Sequence, residues 1–174
     1  MAKLIKNQAI VEDAWQVLTL TEDQNADSVE VAAGQWIVPL SVYLAQPALQ
    51  SRSDVAVWLA GDDEPADVAP YLAQLPLVAV HFPKFADGRG YSIATLLRTR
   101  HGHTGELRAI GDVLRDQFDY LTRCGFDALQ PAEGKYSDAQ LEDALRNLKD
   151  FSEPYQTSVT VQSPLFRRQR RVAA

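Results

Sequence analysis

Cysteine is almost missing from this chain. Cys124 stands alone among 174 residues, which excludes an internal disulfide and, within one chain, a four-cysteine zinc or iron–sulfur site. Long apolar runs are missing too. No stretch of about 18 apolar residues occurs, so no membrane span is expected. The opening Met1-Ala2-Lys3-Leu4-Ile5-Lys6-Asn7 lacks the apolar stretch of a signal peptide, and a cytoplasmic location is the expectation. Positive charge is in deficit. The net charge of −6 argues against general nucleic-acid binding. One local exception is Arg167-Arg168-Gln169-Arg170-Arg171, which reads as a solvated basic tail or, with Phe166 as an anchor, a dock for an acidic partner. The three histidines, His81, His101 and His103, show no metal-ligand spacing. Neither a Gly-x-Gly-x-x-Gly fingerprint nor a Walker loop is present.

What is present is ordinary globular composition, 46% hydrophobic and 23% charged, and a pattern that changes along the chain. Residues 3–7 and 14–20 read as short strands around a turn. Residues 21–28 read as a polar loop and 35–38 as a strand, with Pro39 suited to start a helix through about residue 49. From residue 54 apolar runs alternate with helical spacing. The run 55–60 is continuous, as in a strand covered on both faces. Val68, Leu72 and Leu75 then recur at helical intervals. A strand at 77–82 precedes a helix at 91–100 with Ile93, Ala94 and Leu97 on one side. A strand at 106–110 precedes a helix at 113–123, capped by Asp112 and ended by Gly125. A short strand at 126–130 follows. Ser137 and Gln140 match a capping box for a helix burying Leu141, Ala144, Leu145 and Leu148, closed by Pro154. Residues 157–162 alternate, as a late strand or an extended arm.

Four successive strand–helix units require crossovers and predict an α/β fold with a mainly parallel sheet. Two closures fit: an open doubly wound sheet with helices on both faces, or a partial β/α barrel. One domain over residues 1–174 is expected, with a short N-terminal β segment (1–35), a core (36–154) and an extended basic tail (155–174). The loops at 61–64, 83–90, 111–112 and 131–136 then share one sheet edge, where ligand sites form.

Two constellations fall at that edge. The first is Lys84, Asp87, Gly88, Arg89 and Gly90, directly after a buried strand. Glycines let backbone N–H groups approach an anion, a helix start adds positive potential, and Lys and Arg supply donors. A small anion such as phosphate, sulfate, sulfite or carboxylate suits this loop. The bland alternative is a tight turn in which Asp87 caps the helix and pairs with Arg89. The second constellation is Arg108, Asp112, Arg115, Asp116 and Arg123, with Asp112 and Asp116 four apart on one helix face. It reads as a polar ligand site or as an ion-pair network tying helix to sheet. Cys124, at a helix C-terminus, reads as a small buried apolar residue rather than a thiolate. Trp15, Trp36 and Trp58 read as packing residues.

The block His81-Phe-Pro-Lys-Phe-Ala-Asp-Gly-Arg-Gly-Tyr-Ser-Ile-Ala94, with Leu97-Arg98, Gly105-Glu-Leu-Arg-Ala-Ile-Gly-Asp-Val-Leu-Arg-Asp-Gln117 and Arg123-Cys-Gly-Phe-Asp-Ala128, resembles a proteobacterial domain-of-unknown-function family. That family is encoded near assimilatory sulfite reductase and is often labelled a probable oxidoreductase of sulfite reduction. The resemblance covers about residues 37–166. It implies a role in sulfur assimilation. One form of that role is an accessory protein that binds a small anion, the sulfite reductase or its electron donor. The other is an oxidoreductase using a bound flavin or nicotinamide; flavin binding at strand ends needs no single short motif.

Overall fold

The computed structural model describes residues 2–148 and 154–168. Its centre is one eight-stranded sheet in the order β2-β1-β8-β7-β6-β5-β4-β3. The strands are β1 (Ala2–Lys6), β2 (Ala9–Asp13), β3 (Gln16–Val17), β4 (Trp36–Pro39), β5 (Val55–Leu59), β6 (Leu77–Phe82), β7 (Glu106–Gly111) and β8 (Ala128–Pro131). From β3 to β8 all neighbours are parallel, whereas β1 pairs antiparallel with both β2 and β8. The sheet is therefore mixed rather than purely parallel.

Strands β3 to β8 follow one another in sequence order across the sheet. Right-handed crossovers that always step in one direction put every connecting helix on the same face. The packing agrees. Helix residues Val42, Tyr43, Val68, Ile93, Leu97, Phe118, Leu121 and Ala144 share one core with Val57, Val80, Phe82, Leu107 and Leu129 of the strands. The opposite strand positions, Ile37, Ala56, Leu77, Ala79 and Ile110, form a second cluster closed by Trp15, Val17 and Trp58 and containing no helix residue. An open sheet with helices on both faces is thus ruled out in favour of a curled, half-barrel sheet.

The N-terminus tightens the curl. β2 and β3 occupy opposite edges of the sheet, yet only Ala14 and Trp15 separate them. Three Cα steps of about 3.8 Å bring the two edges within about 11 Å of each other at that point. Trp15 thereby lands in the concave face. The Trp58 indole on β5 donates to the Leu18 carbonyl at 2.8 Å, fixing the chain that follows β3.

Several local expectations are corrected. Residues 14–20 yield only β3. The hairpin partner of β1 is β2, across a two-residue turn in which Asn7 and Gln8 both take positive φ, 49° and 61°, as tight hairpins require. The helix expected over 39–49 ends as α1 (Leu40–Ala45), because Pro47 forces a new 3-10 segment, Pro47–Ser51. The next helix is only α2 (Pro65–Val68) with a 3-10 turn, Ala69–Tyr71, where Pro70 lacks the N–H to continue it. α3 (Arg89–Thr99) starts two residues early. Asp112 does not cap a helix over 113–123: Val113 is buried in the core, a 3-10 turn begins at Arg115, and α4 runs Phe118–Cys124. The fourth strand starts at Ala128 rather than at 126. α5 (Asp138–Asn147) has the capping box of Ser137 and Gln140. Residues 157–162 form bends rather than a strand, with the Val159 amide donating to the Arg123 carbonyl at 3.1 Å. Arg167 and Arg168 end α6 (Leu165–Arg168), and Gln169, Arg170 and Arg171 lie outside the described residues.

Arg108 is the largest fully buried side chain among the described residues, 0% exposed on the concave side of β7. Its guanidinium donates to Glu106 Oε1 at 2.8 and 2.6 Å, to Asp13 Oδ2 at 2.5 Å and to Gln130 Oε1 at 2.8 Å. Lys6 on β1 balances Glu106 from the other side at 2.5 Å. One cation therefore joins β7 to β8 and to the end of β2, where the chain turns across the concave face. Arg108→Met should lower unfolding stability by roughly 2–4 kcal/mol, because the half-buried Asp13 and Glu106 carboxylates and the Gln130 oxygen would lose their shared donor. Urea unfolding checks this; an unchanged midpoint would mean the network does not hold the fold.

Candidate functional site

The C-terminal ends of β5 to β8 meet at one mouth of the curled sheet, where such folds place their sites. A cleft of about 870 Å³ opens there. Its inner wall comes from concave-face positions at the strand ends, His81, Ile110 and Gln130, and from Trp15 and Gln16 of the N-terminal crossing. Residues 131–134, Tyr136 and Asp138 form the outer wall.

His81 is the penultimate residue of β6. The period of two that sends Val80 and Phe82 to the helix side sends His81 to the concave side. Its ring lies 5.0 Å from that of Trp58, centroid to centroid. Gly111 makes room for it: a Cβ at position 111 would sit 2.9 Å from the imidazole and 2.5 Å from the Phe82 carbonyl. Gly111 also holds φ +97°, which a residue with a side chain would adopt only under strain. Burial pushes the His81 pKa below the ordinary 6.5, so the ring is neutral at pH 7 and offers one acceptor and one donor.

Gln130 is oriented by chemistry. Arg108 has only donors, so the Gln130 oxygen must face it, at 2.8 Å. The amide NH₂ is left for the cleft. Three cations in and beside the cleft are engaged: Lys3 with Asp138 at 2.5 Å, Lys135 with Asp112, and Arg108 as described.

The residues expected from sequence separate into three places. Arg108 is in the sheet interior and does not approach the 84–90 loop. Asp112 accepts from the Phe85 amide at 2.9 Å and from Lys135, linking two mouth loops. Asp112 and Asp116 do not share a helix face, since Asp112 precedes the helical turn. Arg115 and Asp116 are exposed, and the Arg115 amide donates to the Tyr136 hydroxyl at 3.0 Å. The network that Arg108 builds ties strand to strand, not helix to sheet. In the loop, Asp87 receives Arg89 Nε at 3.0 Å, Nη2 at 2.7 Å and the Arg89 amide at 3.2 Å. The Arg89 guanidinium holds the Asp87 pKa at about 2. The Asp87 carboxylate thus occupies the start of α3, where an external anion would bind. Gly90 serves packing, because a Cβ there would meet the Phe82 ring at 2.6 Å. Gly88 faces open space. Lys84 is exposed and forms no ion pair among the described residues.

Sequence reasoning missed His81, Gln130, Asp13 and Phe85 as site residues. His81 carried a usable signal, a polar residue at the end of an apolar strand. Gln130 and Asp13 carried none without the sheet order. Phe85 is 54% exposed, yet its backbone is held on both sides: the amide donates to Asp112, and the carbonyl accepts from Gln117 Nε2 at 2.7 Å. Cys124 is buried, and burial pushes its thiol pKa up. No group of three or more His, Cys, Asp or Glu among the described residues could hold a metal. No helix among them is long and apolar enough to cross a membrane.

Fold and site define an α/β protein on a curled mixed sheet, with a polar cleft and a hydrogen-bonded loop at the strand ends. The model of a bacterial protein family of unknown function, DUF934, matches residues 56–166. The chain belongs to that family. No curated protein matches it.

Burial lowers the pKa of both His81 and His103. For each, the unfolded chain binds more protons just below pH 6.5, so stability rises with pH there and falls as pH drops through 6.5. The urea midpoint should be higher at pH 7.5 than at pH 5.5, by a margin that shrinks in His81→Phe. A nuclear magnetic resonance titration of His81 with a midpoint above 6.5 would contradict this.

Proposed function

We propose that the protein is a non-catalytic accessory component of assimilatory sulfite reduction that docks the sulfite reductase or its electron donor through residues 84–90. The tie to sulfite reduction rests on the resemblance of residues 81–94, 105–117 and 123–128. The observation that carries the docking reading is Phe85. An exposed aromatic costs little to bury in a partner when its backbone is already fixed, because little conformational entropy is left to lose. Aromatic anchors of this kind dominate interface energetics. Lys84 beside it is exposed, and Lys84 and Arg89 outnumber Asp87, so an acidic partner surface with an apolar pocket is the complement.

The small-anion reading of the same loop is weaker, since Asp87 fills the α3 start and neutralises Arg89. A phosphate-bearing flavin or nicotinamide fits poorly in the cleft itself. Lys3, Lys135 and Arg108 are all committed to carboxylates of the chain itself.

Phe85→Ala should weaken capture of the reductase or its donor by about tenfold or more, with the fold unchanged. The double change with Lys84→Ala should abolish it and should impair growth on sulfate as sole sulfur source. Binding assays with the purified partners check the first, complementation of a deletion strain the second. Full binding by the double variant would refute the docking role. A flavin absorption band in freshly purified protein would instead favour the oxidoreductase.

A further inference from the structure

The geometry points to the 870 Å³ cleft as a binding site for a small organic ammonium compound that also carries a neutral hydrogen-bond acceptor, held between Glu133, His81 and the amide NH₂ of Gln130. This goes beyond the docking role of residues 84–90 and does not depend on it.

The charge balance of the lining sets the sign. Lys3 reaches the cleft already paired with Asp138. Asp13 is satisfied by Arg108 from behind. Glu133, exposed on the outer wall, forms no ion pair among the described residues. Its carboxylate is the unbalanced charge of the cleft, and it favours a cation. An anion would meet this carboxylate and find each nearby cation engaged.

The neutral groups set the rest of the chemistry. Arg108 commits the Gln130 oxygen and so fixes its NH₂ as a donor, which calls for an acceptor on the ligand. The orientation is stable because reversing the amide would set NH₂ against a buried guanidinium. His81, neutral and held by Trp58 and Gly111, can accept an N–H or O–H. Trp15, Val17 and Ile110 give the floor an apolar surface for a carbon skeleton. The buried polar network beneath the cleft keeps these groups in place before any ligand arrives, as an effective site requires.

Tyramine and 4-hydroxyphenylacetate are suitable probes, similar in ring and hydroxyl but opposite in charge. Each is titrated into isotope-labelled protein while the Gln130 side-chain amide, the His81 ring and the Trp15 indole are followed by nuclear magnetic resonance. Tyramine should shift all three in a saturable manner, and the acid should bind at least about tenfold more weakly. Glu133→Gln, on an exposed loop, should leave the fold intact and weaken tyramine about threefold or more. His81→Phe should weaken it too, whereas Phe85→Ala, which tests the docking loop, should bind tyramine as the parent does. Equal or tighter binding of the acid overturns the assignment. So does the failure of either compound to shift the three signals at millimolar concentration, or an unchanged affinity in Glu133→Gln.

Discussion

Two residues join the opposite edges of an eight-stranded sheet, and the rest of the architecture follows from that constraint. Ala14 and Trp15 are too short a link to pass around a flat sheet. The sheet must curl until its edges nearly meet, and its concave face becomes an enclosed interior instead of a second helix-packing surface. That is why Arg108 can be wholly buried although no helix covers it. It is also why β1 and β2, which pair antiparallel, complete the sheet without a crossover helix.

The interior then poses an electrostatic problem. A buried guanidinium is costly unless its donors are paired. The chain answers with carboxylates from two different strands, Asp13 and Glu106, and an amide from a third, Gln130. The same bonds that satisfy the charge fix the register of the N-terminal crossing against β7 and β8. They also determine what the cleft above can offer, because a group spent on Arg108 cannot serve a ligand. Under the proposed ligand site, folding and recognition are coupled through one side chain.

Much of this is legible in the sequence, and the reasons for success and failure are physical. The strand at 77–82 has the limits its sequence predicts, because a continuous apolar run is the signature of a strand with both faces covered. The capping box at Ser137 is a local chemical device, and it forms as its residues predict. The helices near 39–49 and 65–75 are shorter than apolar spacing suggests, because Pro47 and Pro70 outweigh that spacing. Sequence does not decide between an open sheet and a partial barrel, since strand order depends on which way each crossover steps. The expectation that Arg108 lies at the mouth fails for the same reason. Its charge suggests a loop-edge site, whereas its position in the middle of β7, flanked by Leu107 and Ala109 in the other core, commits it to the concave interior.

The cleft is made by two parts of the chain that the family match separates. His81, Gln130 and Glu133 fall within residues 56–166, but Asp13, Trp15 and Gln16 lie before them. The matched part supplies the polar groups at the strand ends. The N-terminal part supplies the floor and the counter-charge for Arg108. A segment containing only the matched residues would expose the concave side of β5 to β7, including Ala56, Ala79 and Ile110, and leave Arg108 short of one carboxylate. The N-terminal crossing is therefore as much a component of the mouth as the strands are. The shape of any ligand accepted there should depend on Trp15, while its polar recognition depends on the strand-end residues.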